Sequence, residues 1–79
     1  MMIKEYDIVA LIEDVSTKHL ETQEPVLLRR GQVGTVVMTF DGNAFLVDFA
    51  DNDGQSYAME TIPEQKLLLL RNELDAAVA

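Results

Sequence analysis

Seventy-nine residues suffice for one domain near the lower size at which a single core sustains itself, because such a chain buries only roughly 60% of its unfolded surface. The absence of cysteine excludes a disulfide framework, a thiolate metal site and a cysteine nucleophile. Six Lys and Arg against fourteen Asp and Glu give a net charge of −8, a mean field that repels phosphate and anionic lipid and so counts against nucleic acid.

The beginning, MMIKEYDIV, has neither the continuous apolar segment nor the small-residue cleavage site of a secretion signal. No stretch approaches the ~20 apolar residues that span a bilayer. The expectation is a cytoplasmic protein without membrane contact.

The first predicted strand is YDIVALI, Tyr6 to Ile12, with Tyr6, Ile8 and Ala10 on one face and Asp7, Val9 and Leu11 on the other. Val9 and Leu11 are the core candidates. From Glu13 to Leu28 the chain turns polar, EDVSTKHLETQEPVLL, and reads as a long first loop, a length that is usually functional, mobile, or built around a turn of its own. QVGTVVMTF, Gln32 to Phe40, is the second strand. Asp41 to Asn43, "DGN", follows directly, and Asp-Gly between apolar runs is a strong hairpin signal. AFLVDFA, Ala44 to Ala50, returns as the third strand with Phe45, Val47 and Phe49 inward and Leu46 and Asp48 outward. "DNDG", Asp51 to Gly54, turns into a fourth strand over Gln55 to Thr61. Pro63 to Lys66 forms a helical turn, because the fixed φ of proline suits a first helical position. Leu67 to Leu70 is the fifth strand.

These elements predict an all-β domain over 1–70, a small five-stranded SH3-like barrel with a long first loop and a short helical turn before its last strand. Residues 71–79, RNELDAAVA, form a C-terminal tail that is flexible or a short helix.

"GQVG", Gly31 to Gly34, invites a phosphate-binding reading. Its context opposes that reading: a P-loop needs GxxxxGK and a Ser or Thr between strand and helix, whereas GQVG runs into the strand-like TVVMTF. A positive φ, a bulge, or a close backbone approach where the chain enters a curved strand is sufficient cause for both glycines.

Taken together, "GQVGTVV", a strand, the "DG" turn, "FLVDFADNDGQSYAMETI" and the closing "LLLL" resemble a small bacterial family catalogued as domain of unknown function 4926, over roughly Asp7 to Leu70. The glycine-valine run after a basic pair is more distantly similar to the KOW motif of ribosomal and transcription-elongation SH3-like domains. The closer resemblance implies an SH3-like barrel and brings no catalytic residue to any position.

Among candidate chemistries, DNDG with Glu60 imitates part of a calcium loop, but the position that should supply the first ligand is Phe49. The turn reading prevails, and no cofactor or metal is expected. His19 has no second histidine or cysteine to join it and reads as a solvated loop residue. Glu13, Asp14 and Asp48 read as solvated carboxylates, since a domain this small offers little concavity in which to desolvate an acid. No enzyme chemistry is expected.

What remains is recognition. The expected function is a noncatalytic protein-binding module whose acidic surface and first loop contact a basic or otherwise complementary protein partner, as an immunity-like protein or accessory subunit would. Its candidate contact residues are Asp14, Lys18, His19, Glu21, Arg29, Arg30, Asp48, Asp51 and Asp53. The alternative is a KOW-like RNA or ribosome-associated module using Arg29, Arg30 and Lys18, a weaker reading because no aromatic stripe accompanies the basic residues.

Overall fold

The computed structural model describes residues 2–70, and they form an all-β domain. Its strands are β1 (Ile8–Leu11), β2 (Val15–Lys18), β3 (Pro25–Leu28), β4 (Val33–Phe40), β5 (Ala44–Ala50), β6 (Ser56–Pro63) and β7 (Leu67–Leu70), with a short 3-10 turn, Glu64–Lys66, before β7. The expectations for tail 71–79 lie outside the described residues.

Five strands make one antiparallel sheet in the order β6-β5-β4-β1-β7, and these correspond to the five strands expected from the sequence. Alternation sorts their side chains. Val9, Leu11, Val36, Phe45, Val47, Phe49, Ala58, Ile62 and Leu67 are buried on the inner face and build the core, joined by Leu28 and Ile3. Phe45, Val47 and Phe49 point inward as their spacing predicts.

The β4–β5 turn has Asp41 at φ 52° and Gly42 at φ 74°, and the Asn43 N–H donates to the Phe40 carbonyl at 3.1 Å. Two successive left-handed residues match the twist of the flanking strands, which is why Asp-Gly marks this turn. Further along, a register shift between Val36 and Met38 bends β4, so its first half pairs with β1 and its second half with β5 alone.

Three expectations need correction. Glu13 to Leu28 is not an irregular loop: β2 and β3 pair as an antiparallel two-stranded sheet from Val15↔Leu28 to Lys18↔Pro25. The residues alternate, with Val15, Thr17, Val26 and Leu28 the less exposed positions, and Leu28 is wholly buried. Proline, which supplies no N–H to a ladder, is tolerated because Pro25 sits at the strand's first position. Tyr6 is not in the first strand but in the turn before it, at φ 72° and 73% exposed. Pro63 is likewise the extended last residue of β6, φ −71° and ψ 152°, and the helical turn starts one residue later.

The outer face of the sheet is also rich in apolar side chains. One row crosses all five strands, Leu70, Ile8, Thr35, Asp48 and Met59, and beside it Leu68, Ala10 and Val33 align across β7, β1 and β4. Antiparallel partners share a face, so these side chains are neighbours. Asp48 is the charged member of that row.

Candidate functional site

The predicted contact residues fall into three groups. Asp14, Arg29 and Arg30 come together around an open surface cavity of about 510 Å³, lined also by Ile12 and Glu13. The chain reaches this arrangement through backbone hydrogen bonds at the ends of β1 and β3: the Gly31 N–H donates to the Leu11 carbonyl at 2.7 Å, and the Leu11 N–H to the Gln32 carbonyl at 2.9 Å. Gly31 adopts φ 92°, a left-handed conformation that glycine takes without a β-carbon penalty.

Within the cavity, Asp14 works as a turn lock. Its Oδ1 accepts from the Arg30 backbone N–H at 2.8 Å, and its Oδ2 lies 3.9 Å from Arg29 Nε. Nearby, Lys66 Nζ and Glu13 Oε2 pair at 3.1 Å. Every side chain of both pairs is at least 44% exposed, so solvent and salt screen them and each contributes little, about 0–1 kcal/mol. The cavity therefore offers exposed charge for electrostatic contact, with Arg30 making no ion pair among the described residues.

Lys18, His19 and Glu21 make the second group, at the tip of the β2–β3 hairpin. His19 is half-buried rather than freely solvated. Its Nδ1 accepts from the Glu21 N–H at 3.1 Å and the Thr22 N–H at 3.4 Å, which makes that nitrogen the unprotonated one and gives the ring a capping role in the turn. Its ring centroid lies 6.4 Å from that of Tyr57 on β6. The hairpin is held down on β6 by the Leu20 N–H, which donates to the Tyr57 carbonyl at 2.9 Å, and by Thr17 Oγ1, which donates to Glu60 Oε1 at 2.6 Å. Tyr57 in turn hydrogen-bonds through its hydroxyl to Gln32. Sequence reading did not single out Thr17, Gln32, Tyr57 or Glu60 as a group. The alternation that turns Thr17 inward was the available signal.

The third group is Asp48, Asp51 and Asp53. Asp51 and Asp53 are exposed in the β5–β6 turn, where Asp51 Oδ1 accepts from the N–H groups of Asp53 at 2.9 Å and Gln55 at 3.0 Å. That is an Asx turn, the local role that makes aspartate common at such positions. With Asp51 so engaged and Glu60 bonded to Thr17, the carboxylates do not converge as calcium ligands would, and no group of three or more His, Cys, Asp or Glu side chains suited to a metal is found among the described residues. Asp48, half-buried on the outer face, accepts from Ser56 Oγ at 2.9 Å.

No helix among the described residues is long and apolar enough to cross a membrane. The fold and surface define a small all-β domain in which charged side chains stabilise turns and edge a cavity. The chain matches the family model described as a domain of unknown function, DUF4926, over residues 5–69, and belongs to that family. No curated protein and no solved structure matches it.

Proposed function

We propose that the protein is a noncatalytic protein-binding module, located in the cytoplasm, that contacts a basic protein through its acidic surface and the β2–β3 hairpin. The observation that carries this reading is an imbalance of charge pairing. Arg29 and Lys66 face Asp14 and Glu13; of the remaining exposed charges without an ion-pair partner among the described residues, Lys4, Lys18 and Arg30 are outnumbered by the acids Glu5, Glu21, Glu24, Asp41, Asp51 and Asp53. The unspent surface charge is negative, which accelerates encounter with a cationic partner and opposes a polyanion. An immunity-like or accessory-subunit role fits such a module by analogy.

A barrel of the SH3-like kind is the finer fold reading. It is supported by the return of β7 beside β1, the bend at the β4 register shift, and the hairpin's hydrogen bonds onto β6. A closed core of this sort leaves the outer face and the hairpin as the surfaces available for contact.

The test is affinity purification from the native cytoplasm with the folded chain as bait. A stoichiometric protein partner, lost as salt rises, is the expected result. Recovery of nothing at low salt overturns the reading. The second reading, an RNA or ribosome-associated module, draws on the exposure of Arg29 and Arg30 beside the GQVGTVV segment. Filter retention of RNA that falls steeply with salt would favour it, and no retention at micromolar protein removes it.

A further inference from the structure

We propose that the outer face of the five-stranded sheet is the surface on which the protein partner docks, and that Asp48 receives a lysine or arginine side chain set among apolar residues of that partner. The proposal rests on the protein-binding reading above and gives it a place and a chemistry.

Five large apolar side chains, Leu68, Val33, Met38, Phe40 and Met59, stand on this one face, each between 38% and 51% exposed. Scattered apolar residues on a surface are ordinary, but a contiguous group on one sheet face marks an interaction surface. These belong to strands whose register sets them side by side, with Leu46 and Ile8 half-buried between them.

Asp48 determines the kind of occupant. Its Oδ2 is held by Ser56, while its Oδ1 is shielded from solvent and has no hydrogen-bond partner among the described residues. The ion pairs found among the described residues are at the cavity, formed by other side chains. A carboxylate in apolar surroundings with one of its two oxygens unpaired is stabilised by an incoming cation. A second copy of the chain supplies the wrong charge: face-to-face packing brings two such carboxylates together on molecules that each carry −8. A partner with a cationic group inside an apolar patch satisfies both features.

The experiment is an amide-resolved NMR titration of the full chain with an amphipathic Leu/Lys peptide at low salt, with sedimentation of the free protein alongside. The expected result is a monomer whose shifts concentrate at Thr35, Leu46 and Met59, with affinity reduced at least about tenfold by Asp48→Asn and unchanged by Glu5→Gln, a charge-matched change at an exposed residue. A Leu/Glu peptide should produce no shifts. Shifts confined to the hairpin tip or the Asp51–Asp53 turn overturn the outer face as the site while leaving a protein-binding module intact. Equal losses from Asp48→Asn and Glu5→Gln overturn the specific role of Asp48. A dimer formed through Val33 and Met38 overturns the choice of occupant, and failure to bind any part of the chain sinks both this inference and the basic-partner reading.

Discussion

Phe49 takes up the space that a side chain at Gly34 would need: a β-carbon at residue 34 would stand 2.9 Å from Phe49 Cε1, 2.7 Å from Val47 Cγ1 and 2.9 Å from the Asp48 carbonyl oxygen. Gly34 is buried, and Val47 and Phe49 are core residues. The missing side chain is what allows β4 to pass this close to β5. Gly34→Ala should therefore destabilise the domain by about 1–3 kcal/mol through overpacking. Equal denaturation midpoints for the variant and the wild type would show that the strands separate without cost, contrary to this geometry. Arg30→Ala, at an exposed side chain, should stay within about 0.5 kcal/mol of wild type in the same measurement.

The β2–β3 hairpin should behave as part of the folded unit. Leu28 is wholly buried, and Val15 and Val26 pack against the core. Leu28→Ala is expected to cost about 2–5 kcal/mol. Replacing residues 16–24 with a short Gly/Ser linker should cost about 1–3 kcal/mol, since it removes the bonds of Thr17 to Glu60 and of the Leu20 N–H to Tyr57. Urea unfolding checks both, and a linker variant as stable as wild type would reduce the hairpin to a surface appendage.

At the cavity, the two roles of Asp14 can be separated by chemistry. Asp14→Asn keeps an oxygen to accept the Arg30 N–H but discards the charge facing Arg29, and should change stability by less than about 0.5 kcal/mol. Asp14→Ala also loses the turn lock and should cost about 1 kcal/mol. If the two variants are equally destabilised at low salt and both effects fade at high salt, the ion pair and not the hydrogen bond holds this turn.

The β5–β6 turn gives a parallel contrast. Asp51→Ala leaves two N–H groups without their acceptor and should lower stability by about 1 kcal/mol, whereas Asp53→Asn should be neutral, because no hydrogen bond or ion pair engages the Asp53 side chain among the described residues. Thermal unfolding with 1 mM calcium added should give the same melting temperature as without it. A rise with calcium would mean the turn carboxylates do bind the ion.

Alternation and turn chemistry are properties of short segments, so much of the fold was legible in the chain itself. The sheet strands, the left-handed Asp41-Gly42 turn, the inward triplet of Phe45, Val47 and Phe49 and the need for glycine in GQVG could all be read locally. The hairpin escaped because Ser16, Lys18 and Pro25 disguise two strands only four residues long, whose pairing is fixed by docking on β6. Partnership between distant segments was a decision of tertiary structure alone. Asp14 meets Arg30 across sixteen residues because β1 ends beside the β3–β4 turn, and Leu68 stands beside Ala10 and Val33 because β1 pairs with both β4 and β7. Register sets such neighbours, and it follows from the simultaneous burial of the inner face of every strand, which no single segment specifies.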